Sequence, residues 1–273
     1  MIRLLQRILL SAYSVAKSTG VIDTRAGKAV MHAAYFSYKR WLEPSPSALR
    51  AYVPPGAWVV DVGANLGFYT RLFASWVSTG GKVIALEPEA GNFAGLQRLV
   101  DGQCPPGTVI PVRAVASEID GSLRLRINPD SHADHRIADD GLDTPSHRLD
   151  SLLAMHGHPP VGLIKIDVQG AEPRVLAGAG EVLRRHRPAV YMEVDDAALS
   201  DAGSSAGALL DSMRQLGYAV HQVHRNNVSP ALEAKDIAVQ MRRLGYADFL
   251  FLPERDIQAP AMQISPTYTG TSA

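Results

Sequence analysis

The sequence of 273 residues predicts an α/β fold, a doubly wound and mainly parallel sheet of seven strands with an antiparallel final strand. Short apolar runs bounded by glycine, proline and polar residues recur from residue 57 onward, and stretches with helical periodicity separate most of them. The last two runs, at 217–223 and 248–252, have only a polar segment between them. Because no long helix is obvious there, we expect an antiparallel final pair.

The apolar runs place the strands, and the intervening periodicity places the helices. Strands are expected near residues 57–62, 82–87, 108–114, 162–167, 189–194, 217–223 and 248–252. Helices are expected near residues 68–78, 90–101, 149–156, 172–185 and 204–216.

One domain over residues 51–255 accounts for this alternation. Residues 1–50 precede it as a helical extension or lid. Residues 121–148 begin with alternating leucines and then become rich in His and Asp, which predicts an inserted hairpin and loop that would contact an acceptor. The proline- and threonine-rich residues 256–273 predict a flexible tail.

The composition favours a soluble, cytoplasmic protein. Hydrophobic residues make up 46% and charged residues 20% of the chain. Lys plus Arg equals Asp plus Glu at 27 each, so the net charge does not favour a nucleic-acid partner. The single Cys104 cannot form an internal disulfide, which agrees with a reducing compartment.

Residues 1–17 mix Leu and Ile with Arg3, Arg7 and Lys17 at roughly helical spacing. This segment is too short to span a bilayer. Packing on the domain as a lid, peripheral contact with an anionic membrane surface and a signal peptide are the three interpretations of this pattern. The protein could therefore be membrane-associated through this segment.

The most informative stretch is Val59–Gly67, an apolar run that ends in Asp61 and opens into Gly63, Asn65 and Gly67. Glycines after a strand let backbone amides approach a ligand, and the following helix directs its N-terminal end at the same place. The spacing does not match a dinucleotide-binding motif, which would need glycine at positions 65 and 68, and no P-loop lysine follows. It resembles motif I of S-adenosylmethionine-dependent methyltransferases, in which the acid, here Asp61, and the loop backbone hold the methionine part of the cofactor.

Glu87 ends the second strand, 24 residues after Gly63. In an open α/β sheet an acid at this place accepts hydrogen bonds from ribose hydroxyls, and its two oxygens match two adjacent hydroxyls. Asn92 follows on the next helix, where either an adenine contact or a helix cap explains it.

The second signature is Leu163–Glu172, which contains Lys165, Asp167 and Gly170. Together with the first motif, Glu87-Pro88 and Leu149-Asp150, it is similar to the FkbM family of methyltransferases over roughly residues 40–195. The resemblance implies a Rossmann-like class I methyltransferase fold and S-adenosylmethionine as cofactor. It also implies O-methylation of a hydroxyl on a sugar, a glycan or glycolipid, or a polyketide-type natural product.

One position departs from the family. FkbM proteins generally have glutamate where this chain has Gln169, and an amide retains hydrogen bonding but not acid–base chemistry. A non-catalytic S-adenosylmethionine-binding module is therefore one alternative function. A nicotinamide-dependent oxidoreductase is another, which the fold permits and the glycine spacing disfavours.

Methyl transfer to a hydroxyl needs a group that takes the hydroxyl proton. Asp167, at the end of a strand beside the first one, is the first catalytic candidate, and loop anchoring is its alternative role. Glu172 is a second candidate, although it could only offset the dipole of its helix. His135, in the inserted loop near His132, is a third. No metal ligands are assigned, and a divalent metal on the acids Glu193–Asp196 is left open.

Overall fold

The computed structural model describes residues 46–128, 135–224 and 227–254. The described residues contain twelve strands: β1 Trp58–Val62, β2 Val83–Leu86, β3 Val109–Val112, β4 Val115–Ala116, β5 Gly121–Arg126, β6 Arg136–Ile137, β7 Leu142–His147, β8 Val161–Ile166, β9 Ala189–Asp195, β10 Tyr218–His224, β11 Asn227–Val228 and β12 Tyr246–Pro253.

A 3-10 helix at Pro46–Tyr52 precedes β1, and eight α-helices follow in the described residues. They are α1 Phe68–Trp76, α2 Ala90–Gln103, α3 Leu149–Ala154, α4 Glu172–Ala177, α5 Gly180–His186, α6 Asp196–Asp201, α7 Ala206–Gln215 and α8 Ala234–Leu244.

The main sheet has the strand order β11-β10-β12-β9-β8-β1-β2-β3. Strands β3, β2, β1, β8 and β9 pair in parallel, whereas β12 runs antiparallel to both β9 and β10. The predicted mainly parallel α/β sheet with an antiparallel last strand is confirmed. The predicted number of seven differs from the eight observed among the described residues, because the two-residue β11 pairs with the edge of β10.

The segment predicted as an inserted hairpin and loop belongs to a second, four-stranded sheet with the order β4-β7-β5-β6. Its centre is the antiparallel pair of β5 and β7, while β4 adds in parallel to β7 and β6 adds to β5. We call the part of this sheet formed by β5, β6 and β7 the inserted sheet. The intervening residues 129–134 lie outside the described residues.

Three helices differ from the prediction. Helix α6 was not expected. The helix expected over 172–185 is divided into α4 and α5, and Gly178 at the break lies against the backbone of a distant segment. A Cβ on Gly178 would lie 1.9 Å from the Ser117 carbonyl oxygen. Helix α8 occupies the polar segment where no long helix was expected, and only Ile237 of this helix is buried.

Side chains that alternate along β1 belong to two different hydrophobic cores, and this alternation sets the face of the sheet on which Asp61 lies. Val60 and Val62 face one core, and Val59 faces the other, in which α1 packs. Because side chains on a strand alternate between faces, Asp61 projects to the α1 side. Lys165 is the register partner of Asp61 on β8, and Tyr191 is the partner of Lys165 on β9. These three side chains therefore share the α1 face.

A cavity of about 410 Å³ lies at the amino ends of β2 and β3, lined in part by Gly80, Lys82 and Thr108. Ligands of doubly wound folds bind at the carboxyl ends of the strands, so this cavity lies at the opposite edge of the sheet from the expected ligand site. In the described ranges, no helix is both long and apolar enough to cross a membrane. Three predictions fall outside these ranges: the lid except for its residues 46–50, the membrane contact expected for residues 1–17, and the flexible tail at 256–273.

Candidate functional site

The glycine motif forms a tight loop between β1 and α1. Gly63 and Ala64 donate their backbone N–H groups to the Leu86 carbonyl at 3.0 and 2.9 Å. Gly63, Asn65 and Gly67 have φ values of 74°, 51° and 90°. These are left-handed conformations, which glycine adopts without strain and asparagine tolerates. The loop conformation therefore follows from the placement of glycine and asparagine at the positions that need a left-handed backbone.

Gly63 also brings the two sequence signatures into contact. A Cβ at this position would lie 2.0 Å from the carbonyl oxygen of Asp167, so no larger residue fits without movement of the backbone. Asp167 donates its backbone N–H to the Val62 carbonyl at 3.1 Å. The end of β8 is thus fixed against the start of the loop, and Asp167 lies beside it.

The N-terminus of α1 suits an anionic group. Gly67 is its N-cap, and no side chain caps the helix there. The first amides of a helix and the positive end of its dipole together favour a carboxylate or phosphate. This donor set fits the carboxylate of the methionine part of S-adenosylmethionine.

Glu87 lies at the other side of the loop and is buried, with 4% of its surface exposed. One carboxylate oxygen accepts from the Asn65 backbone N–H at 2.9 Å, and the other accepts from the Glu89 N–H at 3.0 Å. Burial raises the pKa of Glu87 to about 7, against the lowering effect of these hydrogen bonds. The carboxylate thus holds the loop and has remaining acceptor capacity for hydroxyls.

Asn92 supports Glu87 from α2. Its side-chain N–H donates to Glu87 Oε1 at 3.4 Å, and its backbone N–H donates to Glu89 Oε2 at 2.6 Å. Glu89, not Asn92, is the N-cap of α2. The structure therefore places Asn92 in contact with the candidate ribose-binding acid, and its direct role in cofactor binding stays a prediction.

Asp61 is fully buried beneath the loop. The Thr70 hydroxyl on α1 donates to Asp61 Oδ2 at 2.7 Å. Asp61 Oδ1 forms an ion pair with Lys165 Nζ at 3.3 Å, without the direction of a hydrogen bond. Both oxygens therefore face protein groups, which gives Asp61 an evident part in fixing the loop. Its predicted contact with the methionine part of the cofactor stays a prediction.

Lys165 was matched in the sequence without a role, and it lies at the centre of the site. Its ammonium is 3.3 Å from Asp61 and 3.2 Å from Asp167, and its side chain is 4% exposed. The sequence signal was a lysine inside the apolar strand Val161–Ile166, because a charge is rarely buried without a partner. The partners come from two strand ends that are far apart in the sequence.

Asp167 is the accessible acid of this group, with 30% of its side chain exposed, compared with none for Asp61. It follows the carboxyl end of β8, next to β1, as predicted. A carboxylate that is open on one side and paired with an ammonium on the other can accept a proton from a bound hydroxyl. Its catalytic role stays a prediction.

Glu172 occupies the first turn of α4 and is 2% exposed. Its Oε1 accepts from the Gly170 N–H at 3.3 Å. Burial raises the pKa of Glu172 to about 8, and the nearby Asp167 and Asp195 add to this increase. The carboxyl group is thus largely protonated at neutral pH, and the geometry associates it with the Gly170 turn. Its catalytic role also stays a prediction.

His135 lies at the start of the inserted sheet, where its Nδ1 accepts from the Asn128 N–H at 3.2 Å. This hydrogen bond closes the ends of the segment 129–134, which contains the predicted His132 and lies outside the described residues. The catalytic role of His135 stays a prediction as well.

The inserted sheet reaches the catalytic side of the main sheet through α6. Arg136 on β6 forms an ion pair with Asp201, the last residue of α6. Helix α6 in turn packs against the turn after Asp167, since a Cβ on Gly170 would lie 2.4 Å from the Ala198 carbonyl oxygen. The inserted sheet is therefore connected by direct contacts to the turn that carries Asp167.

The acids considered as metal ligands have structural partners. Asp195 caps α6 by accepting from the N–H groups of Ala197 and Ala198, and Asp196 accepts from the Ala206 N–H. Within the part of the chain that the structure describes, no three His, Cys, Asp or Glu residues are grouped to hold a metal ion.

The site is a glycine loop after the first strand of an α/β sheet, with acids at the ends of the neighbouring strands. The sequence model of the methyltransferase FkbM domain matches residues 61–220. The chain therefore belongs to the FkbM methyltransferase family, whose members are S-adenosylmethionine-dependent enzymes.

Three characterised relatives match parts of the chain. The 31-O-demethyl-FK506 methyltransferase FkbM of Streptomyces tacrolimicus is 29% identical over 61% of this chain and 74% of its own length. The hexuronic acid methyltransferase AglP of Haloferax volcanii is 32% identical over 45% of this chain and 50% of its own. The AMB antimetabolite synthetase AmbE of Pseudomonas aeruginosa is 25% identical over 62% of this chain, which spans only 10% of that protein.

Among solved structures, the methyltransferase FkbM of Methylobacillus flagellatus aligns with 80% of this chain and 50% of its own, at 16% identity and a TM-score of 0.45. The O-methyltransferase of Bacillus cereus, solved with S-adenosylhomocysteine, aligns with 90% of this chain and all of its own, at 13% identity and a TM-score of 0.46.

Proposed function

We propose that the protein transfers the methyl group of S-adenosylmethionine to a hydroxyl of a sugar, glycan or related natural product, with Asp167 as the proton acceptor. The observation that carries this proposal is the position of Asp167. It is an accessible carboxylate at the end of β8, in backbone contact with the loop that the cofactor would occupy.

S-adenosylmethionine supplies a methyl group activated by a positively charged sulfur. The loop residues Gly63–Gly67 and the N-terminus of α1 would hold its amino-acid part, and Glu87 would accept from its ribose hydroxyls. A cofactor held by these residues would lie above the carboxyl ends of β1 and β2, on the side where Asp167 follows β8. Cofactor and proton acceptor therefore share one crevice.

Asp167 performs the remaining step that the reaction needs. An aliphatic hydroxyl hardly ionises at neutral pH, so its proton must leave as the new C–O bond forms. The exposed side of the Asp167 carboxylate can accept this proton, and the fixed backbone of β8 holds the carboxylate in place. Alignment of the oxygen with the methyl group supplies the rest of the acceleration.

The proposed acceptor class is supported by the relatives, one of which is a hexuronic acid methyltransferase and another a 31-O-demethyl-FK506 methyltransferase. The balance of 27 basic and 27 acidic residues supports a small-molecule or glycan acceptor more than a nucleic acid. We assign acceptor selection to the inserted sheet, because its ion pair to α6 connects it to the turn beside Asp167.

The test uses methyl-labelled S-adenosylmethionine with a panel of methyl glycosides, methyl glucuronide, a macrolide polyol and fractionated cell extract. We expect a labelled ether product from at least one hydroxyl acceptor. Asp167→Asn should lower kcat by about 10²- to 10⁴-fold and change the Kd of S-adenosylhomocysteine by less than about threefold.

Asp211→Asn is the matched control, because this exposed acid pairs only with Arg214 on its own helix α7 among the contacts described. It should leave kcat unchanged. Turnover of Asp167→Asn close to that of the control would exclude Asp167 as the base. Label that appears only on nitrogen or carbon would refute O-methylation.

A further inference from the structure

We propose that Lys165 is a positioning residue that couples the cofactor loop to the ionisation of Asp167. The inference rests on the proposed function in that it takes Asp167 to be the proton acceptor. Lys165 itself touches neither the acceptor nor the reacting atoms, since its side chain is 4% exposed.

The ammonium of Lys165 lies among oxygen atoms from three segments of the chain. Its Nζ lies 3.3 Å from Asp61 Oδ1, 3.2 Å from Asp167 Oδ2 and 3.4 Å from the Gly63 carbonyl oxygen. A lysine ammonium carries three N–H donors. These three contacts go to the end of β1, the end of β8 and the first residue of the loop, so one group joins all three segments.

An aromatic ring also contacts the Lys165 ammonium. Lys165 Nζ lies 4.9 Å from the centroid of the Tyr69 ring, within the range of a cation–π contact. Tyr69 belongs to the first turn of α1, directly after the loop, and its ring also lies 6.2 Å from that of Tyr191. Movement of the loop or of the first turn of α1 would therefore move the groups that hold the ammonium.

The charges explain why a lysine is needed there. Asp61 and Asp167 are two carboxylates on the same face, and Asp61 is entirely buried. A nearby like charge disfavours ionisation of a carboxylate, whereas an ammonium within about 4 Å favours it. Lys165 separates the two and offsets one negative charge. The ammonium favours the charged form of Asp167, which is the form that accepts a proton. Glu172 of α4 also lies near Asp167, and because burial raises its pKa to about 8 it adds little negative charge there at neutral pH.

Two consequences follow. Loss of the lysine charge makes Asp167 harder to ionise, so the carboxylate binds its proton at higher pH. In addition, a ligand in the loop acts on the Gly63 carbonyl, and through Lys165 it changes the titration of Asp167. A residue that only filled space would produce neither effect.

The test is an NMR titration of the side-chain carboxyl carbons of ¹³C-labelled aspartate in the full chain, with the Asp167 resonance assigned by its absence in Asp167→Asn. Wild type is compared with Lys165→Arg and with the double variant Asp61→Asn/Lys165→Met. The double variant removes the lysine together with its buried partner charge, so no unpaired buried charge remains to prevent folding.

The single variant Asp61→Asn is the reference for the double variant, because both lack the same carboxylate charge. We expect the titration midpoint of Asp167 to be at least one pH unit higher in the double variant than in Asp61→Asn, and to differ by less than half a unit between Lys165→Arg and wild type, because arginine keeps the charge. At concentrations of S-adenosylhomocysteine that saturate each protein by calorimetry, the midpoint should shift in wild type and not in the double variant. A midpoint of the folded double variant that coincides with that of Asp61→Asn would overturn the proposal, as would equal shifts of the saturated wild type and double variant.

The pH profile of kcat/KM separates this proposal from the proposed function. If Asp167 is the base, the acid limb of the profile moves to higher pH by the same amount as the NMR midpoint. A shifted NMR midpoint with an unshifted acid limb would support the role of Lys165 and place the base elsewhere. Absence of any methylated hydroxyl would refute the proposed function and leave the NMR result to decide the coupling.

Discussion

The cofactor loop and the inserted sheet are held by opposite kinds of interaction. Around the loop, Asp61, Lys165 and Glu87 are 0, 3 and 4% exposed. In the inserted sheet, the ion pair Arg126–Asp140 joins side chains that are 60 and 66% exposed. Exposed ion pairs contribute from nothing to about 1 kcal/mol, whereas breaking a buried pair costs roughly 3–5 kcal/mol.

This difference assigns different tasks to the two regions. Every contact around the loop depends on several others, so a change there alters backbone, charge and hydrogen bonding together. The pairs of the inserted sheet are separate and solvated, so one can change without the others. This difference agrees with the proposed roles, in which the loop holds the cofactor and the inserted sheet selects the acceptor.

The largest effect is expected at Gly63. In Gly63→Ala the new Cβ would meet the Asp167 carbonyl oxygen at 2.0 Å, in a residue with φ of 74°. The loop and the end of β8 must then separate, and we expect a loss of more than about 3 kcal/mol in the free energy of unfolding. Urea unfolding of the purified variant measures it.

Gly80→Ala is the matched control for this substitution. Gly80 also has a left-handed φ, of 89°, but a Cβ added there would have no other atom within 4 Å. It should lose only the roughly 1–2 kcal/mol of a left-handed alanine. Equal losses in both variants would show that backbone strain, rather than the contact with Asp167, requires Gly63.

A smaller effect, on binding, is expected at Glu87. Its pKa of about 7 means that the carboxylate gains a proton as pH falls below 7 and then loses acceptor capacity. The Kd of S-adenosylhomocysteine should therefore increase by up to about tenfold per pH unit below 7 and level off above 8. Calorimetry from pH 5.5 to 8.5 measures this dependence.

Glu87→Gln removes the titrating group and keeps its shape. At pH 8 it should bind S-adenosylhomocysteine about 10- to 100-fold more weakly than wild type, and its Kd should not follow pH. The Kd values of wild type and Glu87→Gln should converge at low pH. A pH dependence that persists in Glu87→Gln would assign it to another group.

The positions of the glycine loop and of the acids at the strand ends were predictable because each of these residues meets a local structural requirement. Gly63 and Gly67 are needed for left-handed backbone, and Glu87 and Asp167 follow apolar runs that end at one edge of a parallel sheet. Such signals lie within a few residues of the sequence. The family resemblance added the cofactor and the reaction class.

The features that the sequence did not predict depend on contacts between distant segments. The role of Lys165 requires the register that sets it beside Asp61, and the break between α4 and α5 requires the Ser117 carbonyl near Gly178. Helix α8 is amphipathic but polar on average, and it buries only Ile237, so its segment resembles a polar loop in the sequence. The strands β4 and β6 have two residues each, too short for an alternation to be visible.

The smallest effect is expected in the inserted sheet, and it tests whether this region selects the acceptor. Arg136→Ala removes the ion pair to Asp201 of α6, whereas Arg126→Ala removes a pair with Asp140 inside the inserted sheet. Arg126 is exposed and 38% of the Arg136 side chain is exposed, so each variant should lose less than about 1 kcal/mol in stability. Only Arg136→Ala loosens the connection to the turn beside Asp167, and we expect it to increase the acceptor KM about two- to fivefold with little change in kcat. Steady-state kinetics of both variants with the identified acceptor measure the difference. Equal acceptor KM values in the two variants would exclude the inserted sheet from acceptor binding. Acceptor selection would then belong to other segments beside Asp167, because the proposed function assigns the glycine loop to the cofactor.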